Sequence, residues 1–205
     1  MKNILRHMPF TLMIISLNSC ANLNDTYVDL GDGYTFKTDA HYRSIYPNQV
    51  YYNTAIYSTI LNYNFDNKYI IAEQKADYEH HKIFIASVLR VRFSMYCSFL
   101  KDSTSKTSFN ETSPFIRDSI RSDKGLYKLF MSKGITDQNS IEDMGKSELI
   151  LDSIFKHDPF YVKLFSQNEN YWIIDKDQNL RWGPLSKREF EEKTSQLYIK
   201  LKFNK

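Results

Sequence analysis

Cysteine is almost missing from this 205-residue chain, which has only Cys20 and Cys97. A scaffold held by several disulfides is therefore excluded, and stability has to come from a packed core. Net charge is equally scarce. With 27 Lys and Arg against 24 Asp and Glu, the surface offers no electrostatic case for nucleic acid. No complete glycine-rich phosphate loop is present, and C-x-x-C, H-E-x-x-H and G-x-S-x-G do not occur. These absences remove the usual sequence signatures of nucleotide, thiol, zinc and nucleophile-elbow sites, so no cofactor and no metal is expected. What the chain does have is 15 Tyr and 14 Phe, enough aromatic bulk for the core of one domain.

The first twenty residues also lack any acidic side chain. Lys2 and Arg6 form a basic head, and an apolar run follows over residues 8–17. That run is short of the roughly 20 residues needed to span a bilayer, and its layout is that of a secretory signal. It ends in Leu17-Asn18-Ser19-Cys20, which resembles the bacterial lipobox. The resemblance implies cleavage before Cys20 and lipidation of its thiol, with Leu17, Asn18 and Ser19 as the recognition residues. Two acyl chains make a stable anchor at about 0.8 kcal/mol per buried CH₂. Loss of residues 1–19 removes Lys2 and Arg6, leaving 25 basic against 24 acidic side chains. Lipidation of Cys20 in turn leaves Cys97 no second free thiol in the chain with which to form a disulfide.

The polar stretch 20–26 reads as a tether. Two β-favouring runs then flank Gly31-Asp32-Gly33, and another pair flanks Asp66-Asn67, so both read as hairpins. From residue 77 glycine and proline thin out. Residues 83–99 carry apolar residues at both helical and alternating spacing, and length decides for a helix. The run 101–113 is a loop. Ser113-Pro114 has the chemistry of a helix start, Gly134 that of a helix stop, and Asp158-Pro159 opens another helix. Ile141, Met144, Glu148, Leu151 and Phe155 mark a helical face.

Strand grammar returns at Tyr171. YWIID and LRWGPL flank KDQN, and Trp172 and Trp182 are candidate contact aromatics. Asp175, Asp177 and Asn179 have the spacing that opens a calcium loop, but Leu180 stands where Gly is required and Ser186 where Glu is required. A polar turn is therefore expected. Ser186 to Glu189 forms a capping box for a last helix, and the tail YIKLKF alternates like an edge strand.

Three stretches together, TYVDLGDGYTF, NYNFDNKYIIAEQK and NYWIIDKDQNLRWGPLSKREFEEK, resemble a family of small bacterial lipoproteins defined as a domain of unknown function. The resemblance covers residues 27–34, 66–74 and 171–185. It implies an envelope address and a fold, and it transfers no catalytic residue. The expected organisation is a signal peptide over 1–19, a tether over 20–26 and one α+β domain over 27–205. An antiparallel sheet is built from hairpins near both ends of the mature chain, with a helical block inserted over 77–168.

Five histidines are present, and His7 departs with the signal. His80 and His81 are adjacent on a helix, so their side chains diverge by about 100° and do not chelate one ion together. His41 and His157 are isolated. If the chain is an enzyme, His80 or His81 with Glu79 is the place to look, but no catalytic residue is assigned. The expected function is non-catalytic binding of a protein partner by a lipid-anchored cell-envelope protein. The alternatives are a toxin-neutralising immunity lipoprotein and a periplasmic hydrolase. Ala21 lacks the Asp retention signal, so the outer membrane is preferred in a Gram-negative cell.

Overall fold

The turn Gly31-Asp32-Gly33 holds three successive left-handed residues, at φ +81°, +50° and +78°. Glycine adopts that conformation without a Cβ penalty, which is why the chain reverses here. The reversal joins β1 (Thr26–Gly31) to β2 (Tyr34–Thr38), and β3 (Arg43–Pro47) completes an antiparallel three-stranded sheet. A computed structural model describes residues 26–38, 42–47, 54–101, 124–136 and 140–203.

A second, four-stranded sheet contains β4 (Ile60–Phe65), β5 (Tyr69–Gln74), β6 (Asn170–Asp175) and β7 (Leu180–Leu185), all antiparallel and in that order. Strands from either side of the helical block thus meet, with Gln74 opposite Asn170 and Tyr69 opposite Asp175. The architecture is α+β. The expected sheet is realised as two, because the N-terminal hairpin takes β3 as its partner and packs on the second sheet face to face. Leu30, Tyr34, Phe36 and Ile45 from the first sheet share one core with Ile60, Ile70, Trp172 and Ile174 from the second.

Side chains alternate along a strand, so β5 and β6 feed two cores. Ile70 and Ala72, with Trp172 and Ile174, enter the core between the sheets. Tyr69, Ile71, Tyr171 and Ile173 face the opposite side, where Phe190 of α5 (Lys187–Gln196) covers them. All six residues of β6 are buried. Each fully buried aliphatic side chain here contributes about 1.5–3 kcal/mol.

Between β5 and β6 lie α1 (Tyr78–Lys101), α2 (Lys124–Ser132), α3 (Ile141–His157) and α4 (Pro159–Ser166). The stretch 83–99 is helical, and its buried positions Ala86, Leu89 and Phe93 follow that period. These residues make a separate core with Tyr127, Phe130, Leu151 and Phe155. Gly134, at φ +69°, stops α2. The expected helix start at Ser113-Pro114 lies outside the described residues. Asp158 caps α4 by accepting from the Phe160 N–H at 2.8 Å, with Pro159 in the first turn.

Two expectations are corrected. Ile141 does not share the buried face of α3, for it is 94% exposed; Asp143 and Ser147 occupy the buried positions before Ile150. Asp143 reaches that place because Thr136 donates to it from both backbone and hydroxyl. The tail also forms no strand. Ile199, Leu201 and Phe203 do pack on the third core in alternation, but among the described residues no ladder of backbone hydrogen bonds joins 199–203 to a sheet.

Candidate functional site

The connecting segment 54–59, between β3 and β4 in the chain, gathers many polar contacts. Ile56 exchanges both backbone hydrogen bonds with Ile45 of β3, at 2.9 and 3.0 Å, and Thr59 does the same with Lys75, at 2.8 and 2.9 Å. The segment is therefore held to both sheets by main chain alone. Side chains add to this. The Tyr34 hydroxyl donates to Thr54 Oγ1 at 3.1 Å, and Arg181 Nη1 donates to the Ala55 carbonyl. Gln74 Nε2 donates to the Tyr57 carbonyl while its Oε1 accepts from Trp172 Nε1 at 2.8 Å. Ser58 Oγ pairs with His80 Nδ1.

Aromatic rings gather over the same segment. Tyr57 lies 4.8 Å from Phe84 and 5.8 Å from Tyr46, and His80 stacks on Tyr42. None of these five rings is fully buried.

His80 and His81 diverge as expected of neighbours on a helix. His81 is 2% exposed, and its Nδ1–H donates to the Asp77 carbonyl at 2.9 Å. Burial pulls its pKa from 6.5 to about 4, keeping the ring neutral. Glu79 joins neither histidine, because its carboxylate is paired with Lys82 at 2.8 Å. The structure thus places Ser58, a residue with no sequence signature, beside His80. Ser58 itself is fully buried, so its hydroxyl serves as a fastening within the fold.

Trp172 is corrected from a contact aromatic to a core residue at 2% exposure. Gly183 explains its closeness to the neighbouring strand: at φ +141° the backbone passes so near that a Cβ there would sit 2.2 Å from the indole. Trp182 is partly exposed with the Lys193 ammonium 5.0 Å above its ring. Leu17, Asn18, Ser19 and Cys20 lie outside the described residues.

Two cations also sink between the sheets. Lys176 Nζ donates to the Leu30 carbonyl at 2.9 Å and pairs with Asp32 at 3.2 Å. Arg181 lies over Trp172 at 4.8 Å and Phe160 at 5.8 Å. Burial lowers its pKa from the usual arginine value. Sequence reading missed both, although Arg181 stands opposite Ile174, a core-facing position of β6; a charged residue at that parity is the available signal.

A separate acidic cluster lies on the other face of the sheet. The Tyr171 hydroxyl lies 3.0 Å from Glu169 and 3.3 Å from Glu73. One O–H does not satisfy both carboxylates at once. Burial first, and then the Glu169 charge, raise the pKa of Glu73.

Among the described residues no group of three His, Cys, Asp or Glu side chains has metal-holding geometry. No helix among them is long and apolar enough to cross a membrane. In comparisons with protein families, curated proteins and solved structures, nothing matches the chain.

Proposed function

We propose that the chain is a lipid-anchored protein of the bacterial cell envelope whose folded body binds another protein without turnover. The observation that carries this reading is Leu17-Asn18-Ser19-Cys20 at the end of a basic-then-apolar leader, followed by a polar tether and then by the first strand at Thr26. Lipid on Cys20 holds the body close to one bilayer, and with Ala21 rather than the Asp retention signal after it the outer membrane is preferred in a Gram-negative cell. The proposed membership in the family of small envelope lipoproteins agrees with that address.

The binding reading is supported by how the polar groups are used. Ser58, Gln74 and His81 are buried and bonded inside the fold, which suits a rigid body more than a reacting centre. Ile141 and Leu149, at 94% and 73% exposure on α3, add apolar surface of the kind that protein contacts bury.

The test is fractionation of cells producing the full chain, with mass spectrometry of its N-terminal peptide. A diacylglyceryl-modified Cys20 is expected, with Cys20→Ala moving to the soluble fraction. In-cell crosslinking should then give one discrete protein adduct. An unmodified N-terminus, or a Cys20→Ala chain that stays as firmly membrane-bound, overturns the anchor. Crosslinking that yields no stoichiometric adduct overturns the binding.

A further inference from the structure

The two cations between the sheets are treated differently. Lys176 has its carboxylate, Asp32, at 3.2 Å. Arg181 forms no ion pair among the described residues: its hydrogen bond goes to a neutral carbonyl, Ala55, and its other neighbours are the rings of Trp172 and Phe160. Three phenols, Tyr57, Tyr161 and Tyr34, lie within electrostatic reach, and the Tyr34 hydroxyl is already donated to Thr54. Asp175, on the same hairpin, is occupied with its own turn, where Oδ1 accepts from the Gln178 N–H at 3.0 Å.

A guanidinium moved out of water costs several kcal/mol unless an anion compensates it. Its five N–H donors form a fixed fork suited to a planar carboxylate, and one nitrogen is used on Ala55. Arg181 is a partly exposed residue, and none of its nitrogens is both sealed and unbonded. The remaining donors are therefore open to an incoming group.

We propose that Arg181 anchors a binding site for a carboxylate carried on an apolar body, with the half-buried ring of Phe160 as its apolar wall and the buried Trp172 backing the guanidinium from the core. A single positive charge between aromatic faces matches a monoanion with an apolar remainder better than a doubly charged phosphate, which would keep an uncompensated charge in the site. The proposal stands apart from the lipid anchor and from the identity of any protein partner.

The experiment uses the full chain in neutral detergent, titrated with 3-phenylpropionate and with its neutral amide, and read by tryptophan fluorescence and thermal midpoint. The acid should bind saturably and raise the midpoint, while the amide does neither. Arg181→Met should abolish the response. Arg181→Lys keeps the charge but loses the fork, and it should weaken binding by about 10- to 100-fold, the range of a charge-assisted hydrogen bond. If Arg181→Met does not fold by circular dichroism, the Lys variant and the acid-against-amide comparison decide. Equal binding of acid and amide, equal binding by the variants, or no saturation up to about 50 mM, weaker than the millimolar range of simple contacts, each overturns the site. N-acetyl-Ala-Phe with a free terminus, set against its amide, identifies the source. Tighter binding than 3-phenylpropionate supports a peptide chain end, and equal binding supports a small carboxylate.

Discussion

His81 shows how one side chain records its surroundings. It is packed edge-on to Phe165 at 5.4 Å and to Tyr57 at 6.2 Å, so protonation places a charge among rings. Burial holds its folded pKa at about 4 against 6.5 for the free side chain. Below pH 6.5 the unfolded chain takes up a proton that the folded chain refuses, so this contribution to stability is full above 6.5 and falls as pH drops toward 4. Urea unfolding followed from pH 7.5 to pH 4 should show that loss, and His81→Phe should flatten it. A wild-type profile with no decline between pH 6.5 and 4 would contradict the assignment. Glu73 works in the opposite sense. Its raised pKa means that the folded form prefers the neutral acid, so its ionisation above the ordinary carboxylate range removes stability as pH rises.

At the scale of an element, α5 is the one that sequence describes most fully. Ser186 Oγ accepts from the Glu189 N–H at 3.3 Å, and Glu189 returns the bond to the Ser186 N–H at 2.6 Å. Glu189 also receives Lys163 of α4 at 2.9 Å. The Ser186 backbone bond is the largest of the causes that pull the Glu189 pKa to about 2. Ser186→Ala keeps that backbone bond but loses the hydroxyl that accepts from the Glu189 N–H, and it should cost about 1 kcal/mol, measured as a lower urea midpoint at unchanged slope. An unchanged midpoint would mean that the cap is not formed in solution. The strand ends are less legible than this helix. The tail 198–203 has the alternation of a strand, but Tyr198 turns left-handed at φ 56° and the segment lies against Phe190 through Ile199, Leu201 and Phe203. Alternation reported which side chains are covered, and it did not report what covers them.

For the whole molecule, the helical block is less separable than its position in the chain suggests. α1, α2 and α3 make a core of their own, but α4 sends Leu164 into the core between the sheets, with Phe160 and Tyr161 packed against it. Asn170 of β6 reaches back to the Leu164 carbonyl at 2.9 Å. Deleting residues 77–168 and closing the gap from β5 to β6 should therefore give a chain without a cooperative thermal transition. A remainder that unfolds cooperatively would show that α4 contributes little. A buried Leu lost from such a core costs about 2–5 kcal/mol, a large part of the 5–15 kcal/mol that stabilises a domain, and the block removes several such contacts.

The sequence by itself determined what depends on neighbours along the chain. The turns at Asp32 and Asp66, the caps at Asp158 and Ser186, the long helix over 83–99 and the hairpin about 176–179 all follow from local steric and hydrogen-bonding rules that act within a few residues. Tertiary structure alone decided what depends on distant partners. It split the expected sheet in two, buried Trp172 against Gly183, left Ile141 in solvent, and brought Ser58 to His80 and Arg181 to Ala55. These pairings join residues far apart in sequence, so no local periodicity encodes them. They exist because packing both sheets on one core leaves polar groups that have to find each other in the interior.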